Sequence, residues 1–486
     1  MEPPSSEPRP TYEQLVAENA TLREQNATLQ RRVAELAAQL QAALLRLQAA
    51  EAEIAALKRK SSGSATPFSK GPGKPDPKKP GRKPGEGPFR RRELPEGELA
   101  GAVEVPVEPA TCECGGELEA DGYEFVSTTE VPPVPKPEVK LFKMAFCRCK
   151  VCGNRVRGEH PEVPSHQTGA TAHRVGERAM GIAHLLHYGF GVTVRKVPGV
   201  LRMMYGLKVT QSAITQDAIR RTVQGRLGQA YRGLRLAVRG SPTIHTDDTG
   251  WKVGGAQAWL MGFETEETRV YQIRRRHRNE EVREIIPGDY AGVMSTDRGP
   301  SYDAKAFDAV RQQKCLAHLQ RNLSDVLARK TGKAAWFASH LKWLLEEALD
   351  LWWDWREGKQ EGYEARAARI RVLLTSHLRD RRLNDKDNQR LLNELGWHHD
   401  RGNLLRFLDE PGVVEPTNNA AERALRGAVI ARKVSQCSKT DRGAEAHSAF
   451  CSVIATLKKR CPDDLVVGLL QVFQTGAVPA RAADTR

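Results

Sequence analysis

The sequence predicts a multidomain protein in which a parallel coiled coil, a small metal-binding module and a helical segment precede an α/β core with a helical insertion. Three observations predict this architecture: an N-terminal heptad pattern, two cysteine clusters, and a series of short strands with acidic residues at their ends. The chain has 486 residues, enough for two to four folded units, and its 40% of hydrophobic residues can supply their cores.

Residues 12–57 are predicted to form the coiled coil. Apolar residues repeat every seven positions over six heptads that contain no Gly or Pro. One core position also holds Asn19 and Asn26, and a buried Asn is satisfied by its twin across a parallel two-stranded coil. The pattern therefore favours a homodimer over a single solvated helix. The apolar core residues are Leu15, Leu22, Leu29, Leu36, Ala43, Ala50 and Leu57 in one position, and Val33, Leu40, Leu47 and Ile54 in the other.

Residues 58–105 are predicted to be a disordered basic linker. Between Lys58 and Arg92 there are seven Pro, six Gly, and twelve Lys or Arg against two acids. Such a segment buries too little apolar surface to offset the entropy lost on ordering, but it can lie along phosphates without reading their sequence. The segment can also serve as a solvated linker, and this role is compatible with binding to phosphates.

The charge of the whole chain points to a polyanionic partner. Its net charge is +15 with a pI near 9.4, which by itself does not separate nucleic acid from an acidic membrane. No run approaches the ~20 apolar residues that span a bilayer, and the N-terminus has no signal-peptide layout. We therefore expect an intracellular protein without a membrane partner.

Residues 106–160 are predicted to be a β-rich zinc-binding module. The chain has nine cysteines, an odd number, and clustered cysteines in a reducing compartment favour metal ligation over disulfides. Cys149 and Cys152 have the Cys-x-x-Cys-Gly spacing of a zinc knuckle. Their predicted partners, Cys112 and Cys114, are one residue closer together than a regular pair, so Cys147 is an alternative ligand. A structural Zn²⁺ is favoured over free thiols.

Residues 166–235 are predicted to be helical, with breaks at residues 189–191 and at Gly206. Two helices on either side of Gly206, the second capped by Thr210 or Ser212, suggest a DNA-binding helix-turn-helix. Two features count against this interpretation. The first helix contains a proline, and helix pairs with a Gly turn are common in proteins that do not bind DNA.

Residues 240–330 and 411–460 are predicted to be the two parts of the α/β core. Three strands followed by a helix and a fourth strand are typical of a mixed sheet. The predicted strands are Thr243–Val253, Ala258–Phe263, Arg269–Ile273 and Gly292–Thr296, with the helix near Asn279–Ile286. Residues 331–410 are the helical insertion, and residues 461–486 are a C-terminal helix and tail without identifiable chemistry.

Acidic residues stand at the ends of these strands. Asp247 and Asp248 lie in the first strand, Asp297 follows the fourth, and Glu422 lies about one turn into a helix that Thr417 or Asn418 can cap. Phosphodiester cleavage with two metals needs carboxylates that bridge cations about 3.5 to 4 Å apart. Three acids suffice for Mg²⁺, which keeps several waters. Each acid taken alone is more often a solvated or capping residue.

Basic residues accompany the acids and suggest phosphate contacts. The predicted DNA-binding residues after Glu422 are Arg423, Arg426, Arg432 and Lys433. Further basic residues are clustered at 274–278, at 379–382 and at Lys386.

Four ordered segments resemble signatures of the insertion-sequence-66 family of transposases. They are DDTGWKVGG at 247–255, TDRGPSYD at 296–303, QKCLAHLQR at 313–321 and PTNNAAER at 416–423. The resemblance implies a ribonuclease-H-like core with a helical insertion before the glutamate. It also implies an Asp-Asp-Glu triad, here Asp247, Asp297 and Glu422, that holds two divalent ions, Mg²⁺ or Mn²⁺.

The first acidic position departs from the family pattern. The family has Asp-Glu-Thr where this chain has Asp247, Asp248 and Thr249. Strand alternation points the two aspartates to opposite faces, so only one can reach the metals. Asp247 is assigned on the resemblance alone.

The motif Cys315-x-x-His318 has two interpretations. No second pair lies nearby, so zinc is not favoured, and the motif is similar to an element that follows the second aspartate in several transposase families. The resemblance places His318 and Arg321 beside the active site or the DNA. The alternative is a packed cysteine and a hydrogen-bonded histidine.

Six of the eight Trp residues lie between residues 322 and 410. Aromatics at this density indicate the core of the insertion, and in a second interpretation one of them stacks on an unpaired base at a DNA end. The six are Trp336, Trp343, Trp352, Trp353, Trp355 and Trp397.

These features together favour a DNA transposase that binds transposon ends, cleaves phosphodiester bonds and joins 3′-hydroxyl ends to target DNA. A homodimer would hold two ends of double-stranded DNA together, with accessory proteins of the same element as further partners. We expect a prokaryotic, nucleoid-associated cytoplasmic protein. The alternatives are a non-catalytic dimeric DNA-binding regulator and a structure-selective nuclease of the same fold.

Overall fold

The computed structural model describes most of the chain from residue 175 onward and separate parts before it. The described residues are 11, 13, 16–18, 20–33, 35–36, 39–41, 103–107, 114–116, 119, 136–160, 162, 175–379, 382–435 and 437–481. The chain divides into two compact units, residues 1–124 and 125–486. This boundary falls within the predicted zinc-binding module, residues 106–160.

In the first unit, residues 16–18 and 20–33 are helical, in agreement with the predicted heptads. The described apolar heptad residues are all more than half exposed: Leu22, Leu29, Val33, Leu36 and Leu40. Pairing into a coil stays a prediction. Leu15, Asn19 and the heptads from 42 to 57 lie outside the described residues, as does the linker from 58 to 102.

A short hairpin contains the second cysteine cluster. Strands β1 (Phe146–Arg148) and β2 (Arg155–Arg157) pair antiparallel, with Cys147 opposite Val156. The turn between them is closed by hydrogen bonds from Cys149 N to Asn154 O at 2.8 Å and from Gly153 N to Cys149 O at 3.0 Å. Gly153 has φ +74°, a left-handed conformation that glycine adopts without steric cost.

The described residues from 175 to the sheet are largely helical, as the sequence predicted, and contain four α-helices. They are α1 (Glu177–His184), α2 (Val197–Tyr205), α3 (Gln211–Val223) and α4 (Arg226–Ala237). Pro198 lies in the first turn of α2, where a missing N–H costs nothing, so the proline does not interrupt this helix. Gly206 ends α2 with φ 65°, and the Thr210 side chain caps α3 by accepting from Ala213 N at 3.2 Å.

The centre of the second unit is a five-stranded mixed sheet in the order β5-β4-β3-β6-β7. Strand β3 pairs antiparallel with β4 and parallel with β6, β4 pairs antiparallel with β5, and β6 pairs parallel with β7. This arrangement confirms the predicted mixed α/β core and is compatible with a ribonuclease-H-like fold. The strands are β3 (Thr243–Val253), β4 (Ala256–Glu264), β5 (Arg269–Arg274), β6 (Val293–Thr296) and β7 (Arg311–Lys314), with the short helix α5 (Asn279–Arg283) between β5 and β6.

The next five described helices follow β7: the first lies before the predicted insertion, and the other four lie within its bounds, residues 331–410. They are α6 (Leu316–Leu327), α7 (Lys333–Arg356), α8 (Tyr363–Leu378), α9 (Lys386–Asp400) and α10 (Arg406–Asp409). Their shared core is built mainly from leucines, including Leu341, Leu345, Leu374 and Leu395.

The prediction that the tryptophans form this core is wrong for most of them. Trp336, Trp343, Trp353 and Trp397 are exposed, Trp355 is partly buried, and Trp352 is the buried one of the six. The buried stripe of α7 follows the helical period through positions such as 337, 341, 344, 348 and 351, and the exposed tryptophans fall on its other faces.

Three helices complete the second unit: α11 (Asn419–Ser435), α12 (Asp441–Arg460) and α13 (Leu465–Thr475). Helix α12 covers the edge strand β5. Its hydroxyl groups accept the N–H groups that have no partner strand: Thr456 from Arg269 at 3.1 Å, Ser452 from Tyr271 at 2.8 Å and Ser448 from Ile273 at 3.1 Å. Backbone groups that would otherwise be buried without partners are thereby satisfied.

The segment predicted as a separate DNA-binding domain shares its core with the sheet. Tyr231 and Leu234 of α4 belong to one buried cluster with Phe263 of β4, Phe450 of α12 and Leu469 of α13. Thus α13 is an integral part of this core.

No helix among the described residues has the length and apolar character required to cross a membrane.

Candidate functional site

Strand register brings the first two acids of the predicted triad to the same level of the sheet. In the parallel pair β3 and β6, Thr243 lies opposite Val293 and His245 opposite Ser295. Continued past the last paired residues, the same offset would set Asp297 level with Asp247, and the charge of Asp297 does act on Asp247. Level residues of parallel strands project from the same face, which is how two acids 50 positions apart in sequence become neighbours.

Helix α11 packs against the face of the sheet that bears Asp247. Asp247 lies opposite Gly262, and directly opposed residues of antiparallel strands project from one face. A Cβ atom at Gly262 would lie 3.1 Å from Leu425 Cδ2 of α11, so glycine allows the helix to approach this closely. Asn418, just before α11, is anchored to the same strand by a 2.8 Å hydrogen bond from its amide to Thr246 O. Glu422 stands in the first turn of this anchored helix.

The electrostatics of Asp247 reflect this crowding. Burial, together with the negative charges of Asp248, Asp297 and Glu422, raises the pKa of Asp247 to about 7 despite a hydrogen bond from Asp248 N to its carboxylate. Both of the other predicted triad residues thus lie close enough to Asp247 for their charges to oppose its ionisation.

Asp248 occupies the other face. Its Oδ1 lies 3.3 Å from His277 Nδ1, in the loop that follows β5. Burial and the charge of Asp297 raise the pKa of Asp248 to about 6. Sequence reasoning did not identify His277, although its place directly after a core strand was a usable signal.

Glu422 contacts two of the residues expected near the site. Its Oε1 lies 3.6 Å from His318 Nε2 and 3.4 Å from Arg321 NH2, both on α6. Each of the two interpretations of the Cys-x-x-His motif therefore holds for one of its residues. Cys315 is buried and packed, its Sγ accepting from Asn418 N at 3.2 Å, whereas His318 lies beside the acid.

The loop after β6 fixes Asp297 through short contacts. Asp297 Oδ1 accepts a 3.0 Å hydrogen bond from Gly299 N, and a Cβ atom at Gly299 would lie 2.9 Å from that oxygen. Buried Lys314 of β7 donates to Thr296 Oγ1 at 3.0 Å and to Asp297 O at 3.2 Å. Sequence reasoning missed Lys314, because a single lysine at the end of a short strand has no periodic signal.

The site has the donor chemistry of a hard divalent cation. Carboxylate oxygens are the ligands that Mg²⁺ and Mn²⁺ prefer, and a cation would offset the negative charges that raise the pKa of Asp247. Within the described part of the chain, however, no group of three or more His, Cys, Asp or Glu side chains is arranged to hold a metal. The protein's own donors occupy oxygens of all three acids: Asp248 N and Gly299 N those of the aspartates, and Arg321 that of Glu422.

The predicted DNA-binding residues differ in their surroundings. Arg423, Arg426 and Lys433 are exposed on α11. Arg432 points back to β3, where its NH1 bonds Thr249 Oγ1 at 3.1 Å and also contacts Gly250 O.

Several of the other clustered arginines are paired with acids. The ion pairs are Arg274 with Glu284, Arg275 with Asp441 and Arg379 with Asp400. DNA contact by any of these basic residues stays a prediction.

The predicted zinc ligands are only partly described. Cys149 and Cys152 flank the hairpin turn, and N–H groups of Cys152 and Val151 lower the pKa of the Cys149 thiol. A cysteine binds zinc as a thiolate, and the N–H groups of the turn stabilise this form of Cys149. Cys147 and Cys114 are described and exposed, and Cys112 lies outside the described residues. Zinc binding stays a prediction.

The fold and the site together define a class: a mixed α/β core compatible with the ribonuclease-H-like fold, with acidic residues from the middle of β3, the end of β6 and the first turn of α11. Residues 174–446 match the sequence profile of the transposase IS66 family. The match spans more than half of the chain, which therefore belongs to this family, and the family suggests a transposase. Comparison with curated proteins finds no match.

Proposed function

We propose that this protein is a DNA transposase that cleaves at transposon ends and joins the resulting 3′-hydroxyls to target DNA, with Asp247, Asp297 and Glu422 as the metal-binding triad. The observation that carries this proposal is the convergence of the three acids: burial, Asp248, Asp297 and Glu422 together raise the pKa of Asp247 to about 7. Such crowding of acids is costly unless a cation compensates it. Structural ion-pair networks also shift pKa values, but here the partners of Asp247 are all negative.

In this proposal Asp247 and Asp297 supply ligands from neighbouring parallel strands, and Glu422 supplies one from α11. Two bound Mg²⁺ or Mn²⁺ ions would activate the attacking oxygen and stabilise the leaving oxygen of the phosphodiester. His318 and Arg321 lie beside Glu422, and the guanidinium of Arg321 places positive charge where a DNA phosphate would approach the site. The exposed Arg423 and Arg426 extend this positive charge along α11.

The remaining parts of the chain are assigned to DNA and assembly. The basic linker would bind DNA without sequence preference, and helices α2 and α3 would form the helix-turn-helix that contacts the ends. The N-terminal coil would hold two copies together, so that two active sites act on two ends. A structural Zn²⁺ would stabilise the module that contains Cys149 and Cys152, and accessory proteins of the same element are further partners.

The test uses the full-length protein and duplex DNA that carries the inverted repeats flanking its gene. With Mg²⁺ present, we expect the wild type to nick and join this DNA, and Asp297→Asn to lose both activities by several orders of magnitude. Asp308→Asn is the matched control, because Asp308 is an exposed acid on the same segment between β6 and β7. It should retain wild-type activity.

The outcome separates the alternatives. Equal activity of the wild type and Asp297→Asn would exclude the triad. DNA binding by both proteins without nicking indicates a regulator, and nicking without joining indicates a nuclease. A further pair, Asp247→Asn and Asp248→Asn, tests the choice of aspartate, and the larger loss is expected for Asp247→Asn.

A further inference from the structure

One lysine beside the site is almost completely buried. The side chain of Lys314, the last residue of β7, is 1% exposed. Its Nζ lies 3.0 Å from Thr296 Oγ1, 3.2 Å from Asp297 O and 2.6 Å from Asp303 Oδ1. The ammonium donates hydrogen bonds to the first two oxygens and forms an ion pair with the third.

The burial of this ammonium needs a reason other than stability. Taking a charge out of water is costly, and burial lowers the pKa of Lys314 although Asp303 opposes this effect. A buried ion pair is often replaced by apolar side chains of similar volume without loss of stability. All three oxygens belong to the short segment 296–303, which contains Asp297.

The position of the ammonium completes the hydrogen bonding of the sheet. The parallel ladder between β6 and β7 ends at Thr296 opposite Lys314, and Cys315 N then donates to Thr296 O at 2.8 Å. The next carbonyl, Asp297 O, lies beyond the last strand pair. Lys314 Nζ donates to it, so a side chain extends the ladder by one step at the residue whose carboxylate faces the site.

Helix α9 of the insertion also contacts the segment 296–303. Arg298 NH1 lies 2.5 Å from Glu394 Oε1, and His398 Nε2 lies 3.8 Å from Asp303 Oδ2. The segment that starts at Asp297 is therefore held between β7 and the insertion, which gives the insertion a structural connection to the acid.

We propose that Lys314 is a positioning residue for Asp297: its buried ammonium, bonded to Thr296 Oγ1, Asp297 O and Asp303, fixes the backbone that sets the place of the Asp297 carboxylate. This inference rests on the proposed function, in which Asp297 binds a divalent cation. Lys314 itself does not contact the cation or DNA. Its effect is to keep Asp297 where it meets the other two acids.

The test separates positioning from stability with a double variant. Lys314→Met alone leaves Asp303 without its ammonium partner, so it should lower Tm. Lys314→Met with Asp303→Asn removes both charges, and Tm should return to near the wild-type value. The double variant should still bind Mn²⁺ about 10-fold more weakly, as followed by the electron paramagnetic resonance of free Mn²⁺, and should nick the inverted-repeat DNA on the order of 100-fold more slowly.

The matched control is a second lysine that is paired with two acids. Lys330 Nζ lies 2.6 Å from Asp385 Oδ2 and 2.9 Å from Asp387 Oδ2. Both acids stand at the start of α9, outside the segment 296–303. Lys330→Met with Asp385→Asn should keep wild-type Mn²⁺ binding and nicking, since Asn also caps a helix.

The results distinguish failure of the proposed function from failure of the proposed role of Lys314. If the wild type neither binds Mn²⁺ nor nicks DNA, the proposed function is wrong, and this inference falls with it. If the wild type is active and the folded double variant has the same Mn²⁺ binding and nicking rate, Lys314 is merely structural and only this inference is overturned. Should the double variant not fold, Thr296→Val, which removes one of the three oxygens, must show weaker Mn²⁺ binding at near wild-type Tm. Unchanged Mn²⁺ binding in Thr296→Val would overturn the inference.

Discussion

Two adjacent aspartates in β3 have different environments because side chains alternate along a strand. Asp247 projects from the face covered by α11 and is affected by Glu422, whereas Asp248 lies beside His277. Sequence reasoning left the choice between them to a family resemblance. The structure supplies a physical difference, namely which of the two shares a face with the helix that bears the third acid.

This difference leads to a prediction on pH and stability without divalent cations. The pKa of Asp247 in the folded protein, about 7, lies above the ordinary value near 4 of an unfolded chain, so the folded state holds this proton more tightly. Its contribution to stability is present at low pH and is lost as pH rises from about 4 to about 7. We expect Asp247→Asn to raise Tm in EDTA at pH 8 and to raise it less at pH 5, where only part of this contribution is lost.

Thermal unfolding at the two pH values measures this effect, with Asp308→Asn as the control. Mn²⁺ should recover the stability of the wild type at pH 8 but add little to Asp247→Asn. The same difference in Tm between the two proteins at pH 5 and at pH 8 would contradict the assigned cause.

Single elements show where sequence patterns succeed and where they fail. The limits of β3 are as predicted, and β4, β5 and β6 agree to within two residues, because alternation and flanking turns are local signals. Strand β7 was not predicted, since its four residues, Arg-Gln-Gln-Lys, have no apolar alternation. Gln312, Gln313 and Lys314 are nevertheless buried, with polar partners that only the folded chain provides.

Helix α7 offers a matched test of which tryptophans stabilise the insertion. Trp352 is 4% exposed and donates to Pro411 O at 3.1 Å, whereas its neighbour Trp353 is 54% exposed. Trp352→Ala should lower the free energy of unfolding by about 3 to 5 kcal/mol, since it leaves a cavity and an unpaired carbonyl. Trp353→Ala should lower it by less than about 1 kcal/mol. Urea unfolding followed by circular dichroism measures both, and equal losses would show that the core is wrongly located.

At the scale of the whole molecule, the family match and the predicted assembly occupy different parts of the chain. The match covers residues 174–446, whereas the heptads and most of the excess positive charge lie before residue 93. The described heptad residues form an exposed apolar stripe on a helix. A second copy of this chain, paired in parallel, would cover such a stripe.

We therefore expect the full-length protein to be a dimer that depends on this stripe. Leu22→Asp combined with Leu29→Asp should halve the mass measured by light scattering, because two charges would enter the core of the coil. Ala20→Asp combined with Ala27→Asp places the same charges on the outer face of the helix and should leave the dimer intact. A wild type that is monomeric at micromolar concentration would exclude the coil.

The sequence by itself determined most elements and the chemical types at the site: four of the five strands of the sheet, the helices around Gly206, the helical insertion and the acidic residues in and after the strands. These depend on periodicity, turn residues and short motifs, which act over a few residues. Only the tertiary structure decided which side chains meet, because strand register, a glycine opposite Asp247 and the packing of α11 are set by distant parts of the chain. It likewise decided that Lys314 lies buried beside Asp297 and that the tryptophans of α7 are mostly exposed, since burial depends on what packs against a residue and not on its type.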